Sequence, residues 1–253
     1  MLYNINHGIL SKCLETYGEV CEMEAKLFDQ ILKPGMVAVD AGASFGVLTL
    51  PMARAVGPRG AVFAFEPQLP SFQILCANMA LNGIYHVEAH RAALGRQDGK
   101  VKVPRLDQLR EGKFGTLALG GSDKGDEVPL TTLDSVAFAA RCDLIKIDVE
   151  GMELDVLAGA QKTIERFRPI LYVENDRADS SPALIRALWD LGYHCHWHVA
   201  YYVTMPNLRG ITKNLYPQVA AINMTCTPRE RSYKMVDMAR VQSLDERPKG
   251  LKE

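Results

Sequence analysis

The sequence lacks the features that mark several large classes of protein. Its 253 residues contain six cysteines but no Cys-x-x-Cys pair, so a zinc–thiolate site is not expected. No apolar run approaches the roughly 18 residues that a membrane-spanning helix needs, and no basic segment precedes a long apolar core at the N-terminus. The formal net charge is −1 and no long basic run occurs, which argues against a nucleic-acid duplex as partner.

What remains is a globular chain with free thiols. It is 47% hydrophobic and 23% charged, which is typical of a soluble protein with a sizeable core. Most cysteines lie in apolar surroundings, as buried free thiols do, and this fits a reducing compartment. We therefore expect a cytoplasmic protein without a membrane or nucleic-acid partner. The sequence does not decide the oligomeric state, and a homodimer is one of the alternatives.

Residues 37–49 are the most informative stretch of the chain. The apolar residues 37–39 end on Asp40, and Gly42 and Gly46 follow at a spacing of four before an apolar helical pattern begins. This pattern predicts a buried parallel strand, a tight turn and a helix N-terminus. Such a turn lets a ligand lie against bare backbone, which indicates an enzyme that binds a nucleoside-containing cofactor.

Strand and helix patterns alternate along most of the chain, which predicts βαβ crossovers and a parallel sheet. Seven main-sheet strands are predicted, near residues 37–40, 61–65, 87–93, 143–150, 170–173, 193–199 and 222–227. Helices are predicted within 11–32, at 47–56, 70–81, from 131, and at 153–167 and 181–191. The last strand pair is expected to be antiparallel.

A single domain is expected to span residues 1–253. Four parts of it are set apart by composition: an N-terminal helical segment at 1–33, a surface insertion at 96–128 that opens on a short strand near 100–104, a lid-like loop at 200–218, and a charged tail at 229–253. Three acids within residues 17–24 suit either a solvated helix face or a flap over the site.

Acids stand at four of the predicted strand ends. They are Asp40, Glu66, the pair Asp148 and Glu150, and the pair Glu174 and Asp176. In a parallel sheet, ligands bind outside the carboxyl ends of the strands. The coincidence of four acidic ends therefore predicts a polar pocket at that edge, although any one acid could instead cap the helix that follows it.

The glycine turn favours a sulfonium cofactor over a dinucleotide. A dinucleotide turn needs G-x-G-x-x-G, whereas Ser44 replaces the middle glycine here and would crowd a pyrophosphate. Asp40 would repel a pyrophosphate but attract a sulfonium, so S-adenosylmethionine is preferred to NAD. Glu66 can accept two hydrogen bonds from a ribose diol in either case. An NAD(P)-type oxidoreductase and a non-catalytic cofactor-binding module stay open as alternatives.

Four motifs resemble the FkbM-type methyltransferases, within the class I S-adenosylmethionine-dependent group. The motifs are Val39-Asp-Ala-Gly-Ala-Ser-Phe-Gly46, Phe65-Glu-Pro67, Asn78-Met-Ala-Leu-Asn82, and the run from Leu144 to Ala160 that begins Leu-Ile-Lys-Ile-Asp-Val-Glu-Gly. The last motif resembles the family signature almost residue for residue, and the whole resemblance covers residues 17–228. It implies an α/β, Rossmann-like class I methyltransferase fold: a mostly parallel seven-stranded sheet with an antiparallel last strand and helices on both faces.

The resemblance also implies roles for individual residues. The turn would bind the cofactor through Asp40, Gly42, Ala43, Ser44, Phe45 and Gly46, with the methionine moiety lying against Asp40, Gly42 and Gly46. Glu66 would hold the ribose hydroxyls, Pro67 would pack beside the adenine, and Ala93 would help to close the adenine pocket. Asp148 would lie under the amino group or the sulfonium. Members of the family typically methylate hydroxyl oxygens of sugars, polyketides or other small metabolites, which implies a small-molecule acceptor.

Methyl transfer to a hydroxyl requires aligned reactants and a group that takes the acceptor's proton. Asp148 and Glu150 stand two apart at a predicted strand end, so we expect them to point to the same side. Glu150 is the first choice of base, and Asp148 and, at the neighbouring strand end, Glu174 are further catalytic candidates. No metal site is assigned, although Asp148, Glu174 and Asp176 carry the oxygen ligands that Mg²⁺ prefers.

Three histidines, His194, His196 and His198, alternate along one predicted strand. They share a face, but the outer two would lie ~13 Å apart at the rise of a β-strand. A single ion could not bind all three, so a metal site is not expected. His198 is retained as a substrate contact or base, with ordinary sheet-face residues as the alternative.

Overall fold

The computed structural model describes residues 1–105, 107, 125–138 and 140–248. The helices are α1 Gly8–Tyr17, α2 Glu22–Ile31, α3 Thr49–Val56, α4 Leu69–Leu81, α5 Glu153–Ala158, α6 Gln161–Phe167 and α7 Ser181–Asp190, with a 3-10 turn at Leu133–Ser135. The strands are β1 Val37–Ala41, β2 Ala61–Phe65, β3 Val87–His90, β4 Ala93–Leu94, β5 Gly99–Val103, β6 Asp126–Thr131, β7 Leu144–Ile147, β8 Ile170–Glu174, β9 Tyr193–Tyr201 and β10 Ala220–Pro228.

Seven strands form the main sheet in the order β3-β2-β1-β7-β8-β10-β9. The pairs from β3 to β8 are parallel, whereas β10 runs antiparallel to both β8 and β9. The predicted seven-stranded, mostly parallel sheet with an antiparallel last strand is therefore confirmed. Within the described residues, no helix has both the length and the apolar character needed to cross a membrane.

The central strands β1, β7 and β8 are buried on both faces, as their nearly continuous apolar sequences predict. Ala38 and its register partner Leu144 face a core that contains side chains of α1 to α4. Val39 and its partner Ile145 face a second core, with side chains of α5 to α7. Burying one such aliphatic side chain stabilises the fold by about 1.5–3 kcal/mol. The two cores place helices on both faces of the sheet.

The same alternation aligns three polar residues across the sheet. Asp40 pairs with Lys146, and Lys146 pairs with Tyr172. Each stands two residues after a member of the Ala38 row, so all three lie on the α2 side of the sheet. Helix α2 covers this row, and its Phe28 packs edge-on against Tyr172 with ring centroids 5.0 Å apart. The carboxyl ends of the central strands thus carry a polar layer beneath a helix.

The predicted helix at 153–167 is interrupted after Ala158. A Cβ on Gly159 would lie 2.0 Å from the carbonyl oxygen of Gly95, so the chain passes too closely there for any side chain. The carbonyl of Gly159 accepts a hydrogen bond from the backbone N–H of Asp134. This tertiary contact replaces the continuous helix with α5 and α6.

The prediction of a helix that begins at residue 131 is wrong. Strand β6 continues to Thr131, and only the 3-10 turn follows. The carboxylate of Asp134 caps α6 instead, accepting hydrogen bonds from the backbone N–H groups of Lys162 and Thr163 at 3.0 and 2.8 Å. Asp134 therefore caps a helix that begins 27 residues later in the chain.

A second, three-stranded sheet has the order β4-β6-β5. The strand predicted at 87–93 ends at His90, and β4 leaves the main sheet to pair with β6. The strand predicted near 100–104 is confirmed as β5. The remainder of the 96–128 insertion falls largely on residue 106 and residues 108–124, outside the described residues.

The loop after β9 is hydrogen-bonded to the segment that contains the N-terminal helices. Glu19, between α1 and α2, accepts hydrogen bonds from the backbone N–H of Leu208 at 2.8 Å and from the hydroxyl of Thr204 at 3.2 Å. The hydroxyl of the buried Tyr17 accepts one from the backbone N–H of Leu215 at 2.7 Å. The loop thus covers the α1–α2 connection; its role as a lid stays a prediction.

The charged tail lies along the outer edge of the sheet. The backbone N–H of Val241 donates to the carbonyl of Cys195, and that of Trp197 donates to the carbonyl of Ala239. These bonds cover part of the edge of β9, which would otherwise expose unpaired backbone groups.

Candidate active site

The glycine turn after β1 is held against the ends of two neighbouring strands. The backbone N–H groups of Gly42 and Ala43 both donate to the carbonyl of Phe65, at 3.0 and 2.9 Å. Gly42 has φ +80°, and a Cβ there would lie 1.8 Å from the carbonyl oxygen of Asp148. A glycine is therefore required where the turn meets the end of β7.

The other glycine of the turn serves packing. A Cβ on Gly46, at φ +91°, would lie 2.9 Å from a methyl group of Leu75 in α4. Between the two glycines, Phe45 is fully buried and packs edge-on against the His7 ring. The predicted turn is thus confirmed as a structural element, whereas contact of Gly46 and Phe45 with a cofactor stays a prediction.

Glu66 lies directly beside this turn. Its two carboxylate oxygens accept hydrogen bonds from the backbone N–H groups of Ser44, at 2.9 Å, and Gln68, at 2.7 Å. Only 6% of Glu66 is exposed, and burial raises the pKa of its carboxyl to about 7 despite these two donors. Each oxygen keeps a lone pair for a further donor. Pro67 follows it, and Ala93 is buried in β4.

A buried ammonium joins the ends of β1 and β7. Lys146 Nζ lies 2.8 Å from the carbonyl oxygen of Gly42, 3.1 Å from Asp40 Oδ1 and 3.4 Å from Asp148 Oδ2. The hydroxyl of Thr49 donates to the other oxygen of Asp40 at 2.7 Å. Burial opposes the charge on Lys146, but Asp40 and Asp148 raise its pKa well above the usual range. Lys146 is therefore charged and balances the acids.

Three carboxylates converge beyond this ammonium. Asp148, Glu150 and Glu174 each offer an oxygen within 4.8 Å of the others. Burial, then the charge of Asp148, raise the pKa of Glu150 to about 7 and that of Glu174 to about 11. Arg177 donates to Glu150 at 2.9 Å. The three catalytic candidates thus lie together, at a place where an acceptor or a cation could bind.

The carboxylates of Asp148 and Glu150 lie close together, but for a different reason from the predicted one. Strand β7 ends at Ile147, so the two acids are not alternate residues of a strand. Glu150 has φ +56° in the turn that follows, and this turn brings the carboxylates together. Asp176 is exposed and stands outside the converging set, in which Glu150 takes its place. Binding of Mg²⁺ here stays a prediction.

A polar network lies under α2, next to Lys146. Glu24, only 4% exposed, accepts hydrogen bonds from the hydroxyl of Tyr172 at 3.2 Å and from the side-chain amide of Asn223 at 3.3 Å. The Tyr172 hydroxyl also lies 2.8 Å from His198 Nδ1. Burial, followed by the charge of Asp148, raises the pKa of Glu24 to about 7. The solvated-face interpretation of residues 17–24 is therefore wrong for Glu24.

Comparison with known proteins decides the family. A family model described as the methyltransferase FkbM domain matches residues 40–195, which include the glycine turn, Glu66 and the acids after β7 and β8. The chain belongs to the FkbM methyltransferase family. The resemblance seen in the sequence motifs is confirmed.

Two curated fungal proteins are relatives of this FkbM methyltransferase. It is 31% identical over 146 residues to Methyltransferase 1 of Beauveria bassiana (strain ARSEF 2860), covering 48% of this chain and 57% of the relative. It is 30% identical over 157 residues to methyltransferase sdnD of Sordaria araneosa, covering 49% and 60%. The chain thus spans less than two thirds of the length of these relatives.

Solved structures resemble the chain loosely. The precorrin-6y C5,15-methyltransferase of Geobacter metallireducens GS-15 has 13% identity and a TM-score of 0.49, over 81% of this chain and 88% of that one. The methyltransferase FkbM of Methylobacillus flagellatus KT has 18% identity and a TM-score of 0.47, over 80% and 50%. The strand order and the family match, rather than these likenesses, establish the Rossmann-like class I methyltransferase fold.

The network under α2 contains Tyr172 and Asn223, which sequence reasoning did not assign to the site, together with Glu24 and His198, for which a place at the site was one of two alternatives. Glu24 and Asn223 lie outside the region matched by the FkbM model, as does His198. One signal was present in the sequence: Glu24 falls at helical spacing with the apolar Leu27, Phe28 and Ile31 and so lies on the buried face of α2. An acid on an apolar helix face needs buried partners.

Proposed function

We propose that this FkbM methyltransferase transfers a methyl group from S-adenosylmethionine to a hydroxyl oxygen of a small molecule, such as a sugar. The observation that carries the proposal is the anionic pocket around the glycine turn. Asp40 and Asp148 share the single ammonium of Lys146, which leaves a net negative charge where β1 and β7 end. A surplus of negative charge in a partly buried pocket favours a cationic ligand such as a sulfonium.

The turn fits the nucleoside part of this cofactor. Glu66 is held rigidly by two backbone donors and still has lone pairs for the two hydroxyls of a ribose. The hydroxyl of Ser44 is buried and has no hydrogen-bond partner in the part of the chain that the structure describes. Asp148 is 37% exposed at its side chain and can reach a ligand. Glu66 would hold the ribose, and Asp148 the positively charged end.

The acceptor side is assigned to the converging carboxylates. The bound cofactor would supply an electrophilic methyl group, while the protein orients the acceptor hydroxyl and removes its proton. Glu150 supports this role because its pKa of about 7 lies near neutrality, where a general base works best. Its ion pair with Arg177 fixes its orientation. Glu174 would contact the acceptor beside it.

The alternatives differ in how the comparisons bear on them. The family match favours a methyltransferase over an NAD(P)-type oxidoreductase. A module that binds the cofactor without turnover has the same fold, so only turnover separates it from an enzyme. We propose that residues 1–253 form a single domain that acts on a small molecule rather than on nucleic acid.

Turnover tests the proposal directly. Incubation with deuteromethyl-labelled S-adenosylmethionine and a panel of sugars, other polyols and amines should place the label on an oxygen, as identified by mass spectrometry. The Glu150→Gln variant should lower kcat by about 100-fold or more, because it removes the base, while Glu165→Gln, an exposed acid on α6, should leave kcat unchanged. Label found on nitrogen would contradict O-methylation, and no transfer to any acceptor would favour the non-catalytic module.

A further inference from the structure

The hydrogen-bonded chain from Glu24 through Tyr172 to His198 links three elements that are distant in sequence. Helix α2 contributes Glu24, β8 contributes Tyr172 and β9 contributes His198. The contacts are 3.2 Å from the Tyr172 hydroxyl to Glu24 Oε1 and 2.8 Å from that hydroxyl to His198 Nδ1. All three residues are almost fully buried. Such a chain restricts where each proton can be.

The sheet register places His198 in line with the acceptor side of the site. Asn223 of β10 pairs with Glu174 of β8 on one side and with His198 of β9 on the other. Directly paired residues project from the same face of a sheet. Glu174, Asn223 and His198 therefore form one row across three adjacent strands, which begins at the converging carboxylates.

Counting protons fixes the direction of each hydrogen bond. Tyr172 has a single hydroxyl proton, and an ionised Glu24 can only accept it. The Tyr172 oxygen is then the acceptor for His198, so the imidazole proton must be on Nδ1. Burial lowers the pKa of His198 to about 4, so the ring is neutral and carries only that one proton. The other nitrogen, Nε2, keeps a free lone pair.

The Nε2 atom of His198 is open to a ligand. It has no hydrogen-bond partner among the described residues, and it is not fully shielded from solvent. It therefore retains contact with solvent although most of the ring is buried. A small acceptor with a hydroxyl group could donate a hydrogen bond to it.

We propose that Glu24 is a positioning residue that acts through Tyr172 to fix His198 in the Nδ1-protonated tautomer, so that Nε2 accepts a hydrogen bond from a hydroxyl of the methyl acceptor. The part of this inference that concerns the acceptor rests on the proposed O-methylation, whereas the tautomer does not. Glu24 and His198 both lie outside the matched family region, residues 40–195.

Imidazole ¹⁵N spectra of the full chain at pH 8, where Glu24 is ionised, test the tautomer. The His198→Gln variant assigns the resonances of His198 among the six histidines. The wild type should show a protonated Nδ1 and a bare Nε2. Glu24→Met should move the proton to Nε2, because Tyr172 then donates its hydroxyl proton to Nδ1. Glu24→Gln keeps an accepting oxygen and should restore the wild-type tautomer.

Two further variants make the experiment decisive. Glu22→Met, the same change at a partly exposed site on α2, should leave the tautomer unchanged. If Glu24→Met does not fold, Tyr172→Phe replaces it, since the ring contact with Phe28 is kept and the fixed Nδ1 proton should be lost. A wild-type proton on Nε2, or an unchanged tautomer in Glu24→Met or Tyr172→Phe, overturns the proposal.

A titration with S-adenosylhomocysteine separates this inference from the proposed function. Wild type and the Glu24 variants should bind it within about threefold of one another, since the hydrogen bonds of Glu24 run to Tyr172 and Asn223 rather than to the glycine turn or Glu66. Failure of the wild type to bind would overturn the proposed function and leave the tautomer assignment standing. A Glu24→Met variant that loses binding more than about tenfold would show a cofactor role instead and overturn the positioning role.

Discussion

Lys146→Met is expected to abolish binding of S-adenosylhomocysteine and to lower the free energy of unfolding by about 3–5 kcal/mol, the cost of removing one partner from a buried ion pair. Asp40 is fully buried, and Lys146 is its only ion-pair partner among the described residues. Without the ammonium, the carboxylate of Asp40 is uncompensated. The carbonyl of Gly42 also loses its donor, so the glycine turn and the end of β7 are no longer joined.

Two control variants define this effect. Lys162→Met changes an exposed lysine on α6 in the same way and should alter the free energy of unfolding by less than about 0.5 kcal/mol. Lys146→Arg keeps the charge, but a planar guanidinium does not fit three acceptors arranged around one nitrogen, so only part of the stability should return. Thermal or urea unfolding measures the change. A Lys146→Met variant as stable as the wild type would show that the buried ion pairs do not organise the site.

Asp148→Asn is expected to reduce turnover by at least about 100-fold, the usual loss when an electrostatic contact to the reacting centre is removed. The stability of the fold should not decrease in this variant. The charge of Asp148 raises the pKa of Glu150 and of Glu174, so neutralising it removes an unfavourable interaction with both, while Lys146 keeps its ion pair with Asp40. We expect the free energy of unfolding to stay the same or rise by about 1 kcal/mol. Activity and stability should therefore move in opposite directions.

The matched control for this variant is Asp176→Asn. Asp176 is exposed, stands at the neighbouring strand end and does not belong to the converging carboxylates. Its replacement should change kcat by less than about threefold, as expected of a surface residue that touches no reactant. Asp148→Asn with unchanged turnover would remove Asp148 from the site, and a large loss in Asp176→Asn would restore the originally predicted set of acids.

The parts of the fold that sequence predicted are those encoded locally. The apolar run before Asp40, the glycines at 42 and 46 and the acids at the strand ends each leave a signal within a few residues. The parallel sheet then follows from the alternation of strands and helices. A close approach to the backbone was predicted at Gly42, with a ligand as the neighbour. The structure shows such an approach, but the neighbour is the backbone carbonyl of Asp148.

The parts that sequence missed depend on contacts between distant residues. The break between α5 and α6 arises from the approach of Gly159 to Gly95, which no helical periodicity records. The three partners of Lys146 follow only from the register of β1 and β7. The same holds for Glu24, whose partners Tyr172 and Asn223 are about 150 and 200 residues away by number.

The choice of base shows a different limit. The spacing of Asp148 and Glu150 predicted that the two carboxylates lie on the same side, and they do lie close together, but the prediction assumed a strand that continues through residue 150. The turn that ends β7 supplies both the convergence of the acids and the partner Arg177. Residue spacing can therefore select candidates, while pKa shifts and ion pairs, which choose among them, require the folded chain.

Calorimetric titration of the wild type with S-adenosylhomocysteine, with NAD titrated side by side, tests the central claim most directly. We predict saturable one-to-one binding of S-adenosylhomocysteine and none of NAD. Glu66→Ala should weaken that binding by about 10-fold to 100-fold, since it removes the carboxylate that would accept hydrogen bonds from the two ribose hydroxyls. No heat with S-adenosylhomocysteine, or binding of NAD in its place, would contradict the account.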